Sequence, residues 1–177
     1  MEIAQIIAKL GLVPLPNEGG YYRETFKSPL SFNEGPLLNF YSGKHSLSTC
    51  IYYLITPDSF SAMHKLPTEE ICHFYLGDPA GQFQILPNGE SRNIILGNNI
   101  LNNEELQVIV PANTWQGTKL VDGGRFALFG TTMSPGFEFS DYVAGEVEHL
   151  SKTYPELQND ISKYFYHRDQ SIKPQNP

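Results

Sequence analysis

Apolar side chains follow two different periods along this chain. Ile3, Ile6, Ile7 and Leu10 fall at i, i+3, i+4 and i+7, which predicts a short helix closed by Gly11. VPLPNEGG then interrupts the pattern with two prolines and two glycines. From Tyr21 the period shortens to two, in the runs YYRETF, LLNFYS, STCIYYLI, FSAMHK and ICHFYL, and then QFQIL, RNIIL, LQVIV, WQGTKL and RFALFGTT. Turn signals divide them, among them Pro57-Asp58, Pro67-Thr68, Gly97-Asn98-Asn99, Pro111-Ala112-Asn113 and Asp122-Gly123-Gly124. Asn88-Gly89 predicts a tight primed hairpin, because both residues tolerate positive φ. Pro67-Thr68 is placed to close another. About ten short strands at this spacing indicate an all-β sandwich or barrel.

The helical period returns near the end. In SDYVAGEVEHLSKTYPELQNDISKYF, Val143, Val147 and Leu150 form one apolar stripe and Leu157, Ile161 and Tyr164 another, with Pro155 breaking the two apart. HRDQSIKPQNP is polar and predicts a loose tail. The expected organisation is a single domain over 1–166, with a barrel over about 20–140, C-terminal helices over about 141–166 and a polar tail over 167–177.

Composition narrows the setting. The chain has 177 residues, 40% of them apolar and 12% aromatic, enough for a substantial core. A formal net charge of -7 argues against nucleic acid or an anionic membrane as the main partner, and leaves room for a small anionic ligand held by one local arginine. Two cysteines, Cys50 and Cys72, make neither a disulfide framework nor a structural zinc site. MEIAQIIAKLGL lacks a basic start, a long apolar core and a small-residue cleavage site, and no apolar run reaches membrane-spanning length. The expectation is a cytoplasmic protein.

Candidate chemistry concentrates in MHKLPTEEICHFYLG, residues 63–77. By strand alternation Phe60, Ala62 and His64 share one face, with Ser61, Met63 and Lys65 on the other. Glu70, Cys72 and Phe74 share a face, and His73 points away. His64 and Glu70 are therefore expected to meet in an interior cavity, where an imidazole can partner an otherwise costly carboxylate. A hydrogen-bonded core histidine is the plainer alternative for His64, a small buried hydrophobe for Cys72, and a solvated turn residue for Glu69. NEGGYYRETF offers Tyr21, Tyr22, Arg23 and Glu24 for stacking on and pairing with an anionic ligand, or equally for an edge strand with a surface ion pair. VPANTWQ presents Gln116 to a pocket, while Trp115, of opposite parity, suits packing.

Taken together, GGYYRE at 19–24, H-x5-E-x2-H at 64–73 followed by GDP at 77–79, VPANTWQ at 110–116 and SPGFEFSDY at 134–142 resemble the cupin superfamily, and within it the cupin_5 branch (DUF985). The resemblance runs from about residue 3 to 145. It implies a double-stranded β-helix, the cupin jelly-roll barrel, with one ligand cavity, and a homodimer. The cupin metal motif wants two histidines, a glutamate and a distant fourth histidine. Aligned here, His64 and Glu70 are retained, while Leu66 and Gln116 occupy the other two places. No cofactor is therefore expected, and His64, Glu70 and Gln116 are the weak candidates for a divalent cation. The cavity also resembles that of the nucleotide-sugar epimerases of the superfamily. By that likeness His64 is the base, Glu70 its orienting partner, and Tyr22 or Tyr21 the acid that returns the proton, with Arg23, Glu24, Cys72 and Gln116 contacting ligand. The leading expectation is a small polar metabolite, a sugar or nucleotide-sugar, with epimerase or isomerase chemistry. A metal-dependent cupin enzyme and a non-catalytic ligand sensor are the alternatives.

Overall fold

The computed structural model describes residues 3–33, 41 and 43–166. Most of the LLNFYS run and all of the polar tail lie outside these residues. Helix α1 (Ile3–Leu10) ends at Gly11, whose φ of +62° is the left-handed closure that glycine accepts without strain. Thirteen strands follow among the described residues: β1 (Val13–Pro14), β2 (Tyr21–Lys27), β3 (Ser31–Phe32), β4 (His45–Ser46), β5 (Thr49–Ile55), β6 (Ser61–Lys65), β7 (Glu70–Gly77), β8 (Ala80–Ile85), β9 (Ser91–Leu96), β10 (Gln107–Val110), β11 (Trp115–Leu120), β12 (Ala127–Met133) and β13 (Val143–Ala144). Helices α2 (Val147–Thr153) and α3 (Gln158–Ser162) close the described chain, separated at Pro155. No helix among the described residues is long and apolar enough to cross a membrane.

Two antiparallel sheets carry the architecture, in the orders β1-β2-β5-β12-β7-β10 and β13-β6-β11-β8-β9, with β3 and β4 pairing separately. Between the sheets lie Tyr53, Ile55, Cys72, Phe74, Val108 and Phe129. The outer face of the second sheet is covered by the C-terminal helices, with Met63, Phe83 and Ile85 packed against Leu150, Ile161 and Tyr164. Among the described residues, the outer face of the first sheet is covered only at one end, where Leu54 and Leu128 meet Ile6 of α1. Phe26, Tyr75 and Ile109 remain exposed.

Three local expectations change. Pro67-Thr68 does not close a hairpin: β6 and β7 belong to different sheets, and residues 66–69 carry the chain from one to the other. Val143 belongs to a strand rather than a helix. β13 pairs with β6, and the Gly145 N–H donates to the Met63 carbonyl at 2.7 Å, a close approach that only a residue without Cβ permits. At Asn88-Gly89 the hairpin between β8 and β9 exists, but only Gly89 takes a positive φ (+88°). The Gly89 N–H bonds the Leu86 carbonyl and Leu86 pairs with Glu90, so this is a three-residue loop with a left-handed glycine.

Candidate functional site

A cavity of about 240 Å³ opens between the sheets. Strand β6 feeds it in an irregular way. His64 pairs with Gln116 and Ser61 with Thr118 on β11, so three steps on β6 match two on β11. That one-residue bulge puts both Ser61 and His64 on the cavity, where simple alternation had assigned them to opposite faces. The bulged residues turn their backbone elsewhere. The Ala62 N–H donates to the Glu18 carbonyl at 3.0 Å and the Met63 N–H to the Tyr164 carbonyl at 3.0 Å. The first of these bonds brings Glu18, a loop residue, beside His64.

His64 is buried, at 3% exposure. Its Nδ1 lies 2.9 Å from the Ala62 carbonyl, an acceptor only, so Nδ1 carries the proton and donates. Nε2 is left as the basic nitrogen, 3.9 Å from Oε2 of Glu18 and without a hydrogen bond. The other Glu18 oxygen, Oε1, accepts from the Ser61 hydroxyl at 2.7 Å. Tyr142 stacks on the imidazole at 5.3 Å between centroids, and its buried hydroxyl has no partner. Burial, reinforced by the Glu18 charge, raises the pKa of that phenol.

Glu70 reaches the same cavity from the opposite sheet. Its hydrogen-bond partner is Gln116, whose Nε2 donates to Oε2 at 2.6 Å, so the ring of His64 is oriented by its own backbone and not by Glu70. Burial pushes the Glu70 carboxyl above the usual range; the His64 ring opposes this, the Glu18 charge adds to it, and hydrogen bonds from Gln116 and from a second donor, Thr131, oppose it. Behind Gln116 runs a chain of amides with one polarity. Gln82 donates to Gln116 at 3.4 Å and Gln84 to Gln82 at 2.5 Å, and Arg92 closes the chain by donating from Nε and Nη2 to Gln84. Gln82 also donates to Thr118 at 3.2 Å. A cation at one end and a carboxyl at the other fix the orientation of every amide between them.

The remaining candidates divide by strand parity. Tyr22 and Glu24 line the cavity from β2. Tyr21 packs toward α1, and Arg23 is exposed with its guanidinium 5.4 Å from the centre of the Tyr52 ring, on the outer face. Arg23 therefore does not reach the cavity of its own chain. Cys72 lines the cavity, and burial followed by the Glu70 charge pushes its thiol well above the usual range, so it stays protonated. His73 points outward to Thr132 and Gln107. Trp115 packs outside under Lys65.

At the mouth, residues 137–142 form a strap. Phe137, Glu138 and Phe139 line the opening, and Glu138 pairs with Lys27 at 2.6 Å. Asp141 is held by Nε2 of His45 at 2.8 Å in a buried pair whose other ring nitrogen faces the Gly43 carbonyl. Of these, Glu18, Lys27, Gln82 and Gln84 were not singled out in the sequence, and the strap lies within the SPGFEFSDY motif, which was noted only as part of the family resemblance.

The residues present do not make a metal shell. Leu66 is buried where the cupin motif would supply a second histidine. Gln116 turns its amide nitrogen to Glu70 and its oxygen to Gln82, which spends both groups within the protein. Among the described residues there is no group of three or more His, Cys, Asp or Glu side chains disposed to hold an ion.

The model of the family described as "Cupin superfamily (DUF985)" matches residues 4–144. The chain belongs to this family. The cupin is 29% identical over 145 residues to the Saccharomyces cerevisiae uncharacterized protein YML079W, covering 75% of this chain and 72% of the yeast protein. Among solved structures, a hypothetical protein from Leishmania major superposes with a TM-score of 0.84 at 28% identity, covering 94% of this chain and 100% of the other. A Shewanella oneidensis protein gives 0.83 at 27% identity, covering 94% and 98%. Oxalate decarboxylase of Bacillus subtilis shares the fold alone, with a TM-score of 0.53 at 14% identity, over 94% of this chain and 41% of that enzyme.

Proposed function

We propose that this cupin binds a small polar metabolite of about the size of one sugar ring and that His64 removes a proton from it, in a reaction of the epimerase or isomerase type. One observation carries the reading: the Ala62 carbonyl fixes the imidazole in the tautomer whose unprotonated Nε2 faces the cavity. That is the form a general base requires, and Glu18 stands beside it to stabilise the imidazolium that results. Tyr22 comes from the opposite sheet, which suits return of a proton to the other face of a bound ligand. A cavity of about 240 Å³ falls below the roughly 300–1,000 Å³ of sites for drug-sized ligands, which favours a single ring over an entire nucleotide-sugar.

In the proposed setting the protein is a cytoplasmic homodimer. Two free thiols suit a reducing compartment, and the uncovered aromatic strip of the first sheet suits a second copy.

The test is solvent-deuterium incorporation into a panel of aldoses, ketoses and nucleotide-sugars, read by mass spectrometry. The expected result is exchange by the wild type that slows at least about 100-fold in His64→Ala, the scale of a lost general base. Exchange that survives the substitution would remove His64 from the role. Binding of a panel member without any exchange would leave a sensor.

A further inference from the structure

The charges around the cavity are lopsided. Glu18, Glu24, Glu70 and Glu138 all line it, against Lys27 as the cationic side chain, and Lys27 is engaged by Glu138 at 2.6 Å. Arginine is the usual partner of phosphate and carboxylate ligands. Each arginine among the described residues is occupied elsewhere: Arg23 lies over Tyr52, Arg92 ends the amide chain on Gln84, and Arg125 pairs with Asp78. An anionic ligand would thus meet carboxyl groups with no guanidinium to offset them.

The inner end is still more selective. Glu18 and Glu70 line the cavity from different elements, with His64 between them in the lining and 3.9 Å from Glu18. Nε2 of His64 is a polar atom on a buried side chain that faces the cavity without a hydrogen bond, so something with a proton to share completes it. Tyr22, Tyr53 and Phe129 add aromatic surface, which attracts cations and repels anions.

We propose that the ligand carries a protonated amine, as an amino sugar or a small amino alcohol does, with its ammonium seated between Glu18 and Glu70 and its hydroxyls toward His64. This rests on the reading of the cavity as the ligand site and adds the charge of the ligand to it. The mutual effect of the two carboxyl groups is consistent: burial and the Glu18 charge raise Glu70, and an ammonium between them relieves that.

The experiment uses the full chain labelled with ¹³C at glutamate carboxyl carbons, titrated with matched probes. These are ethanolamine against ethylene glycol, and D-glucosamine against D-glucose, N-acetylglucosamine and glucose 6-phosphate. The expected result is saturable shifts of the Glu18 and Glu70 carbons with the two amines, at least tenfold tighter than with the neutral or anionic partners. Glu18→Gln keeps an oxygen to accept from Ser61 and so keeps the fold, checked by its melting curve. It should weaken the amines roughly tenfold or more, the scale of a lost hydrogen bond to a charged group. Neutral or phosphorylated probes binding as tightly as the amines would overturn the charge assignment and leave the cavity as a ligand site. No saturable shift with any probe would overturn both.

Discussion

Gln116→Leu removes the amide that links Glu70 to the buried chain while preserving side-chain size. The bond lost is 2.6 Å long and made to a carboxyl group. Hydrogen bonds to charged groups contribute about 1.5–3 kcal/mol, against about 1 kcal/mol for neutral ones. The substitution is therefore expected to cost about 2 kcal/mol where Glu70 is ionised and about half that where it is protonated. At about 1.4 kcal/mol per pKa unit, the difference raises the carboxyl by roughly one unit beyond its already elevated position. The sign for stability follows from linkage. A carboxyl raised by folding contributes stability that is complete below its unfolded pKa of about 4.3 and is lost as pH rises through the folded pKa. In Gln116→Leu that loss should extend to higher pH, so the gap between variant and wild type widens from pH 4 to pH 8. Urea unfolding at several pH values, with ¹³C titration of the Glu70 carboxyl, measures both quantities. A Glu70 that titrates at or below its wild-type position in Gln116→Leu would refute the reasoning.

Two other outcomes are expected. Asp141→Ala leaves the buried Nε2 of His45 without its hydrogen-bond partner and should destabilise by about 1–3 kcal/mol in chemical denaturation, whereas loss of the exposed Lys27–Glu138 pair through Lys27→Met should cost no more than about 1 kcal/mol. Light scattering should give twice the 19.9 kDa chain mass, and Tyr75→Glu, on the exposed outer face, should shift it toward the monomer with its far-UV circular dichroism unchanged; the single-chain mass in the wild type would remove the dimer.

Strand existence was readable because period-two alternation and turn residues are local properties. Within β7, parity put Glu70 and Cys72 on one face and His73 on the other, as the structure has them, whereas the choice between Tyr21 and Tyr22 was left open and is decided by which of them lines the cavity. The sequence was less informative wherever a long-range contact decides. Pro67-Thr68 has the chemistry of a hairpin, yet the choice between closing one and crossing between sheets depends on partners far along the chain. Gln82 and Gln84 alternate with Phe83 and Ile85, a pattern that on its own reads as a polar outer face. Only the helices packed over Phe83 and Ile85 make the glutamine face the inner one. Glu18 lies in a turn-rich loop with no periodicity to place it, and it joins His64 through a backbone bond to Ala62. The family motifs located His64, Glu70 and Gln116, but the bulge in β6 that sets Ser61 on the cavity together with His64 is something no alternation rule expresses.

That extra residue in β6 ties the assembly of the site to the order of synthesis. One bulged N–H is held by residue 18, near the start of the chain, and the next by residue 164, near the end of the described segment. A nascent chain that has emerged as far as β12 already carries Ala62, Glu18 and Gln116, which seat His64, while Gly145 and Tyr164, which hold the Met63 backbone, are still to come. The two ends of the bulge are therefore secured at different times, the His64 end by segments made early and the Met63 end only when the C-terminal segment docks.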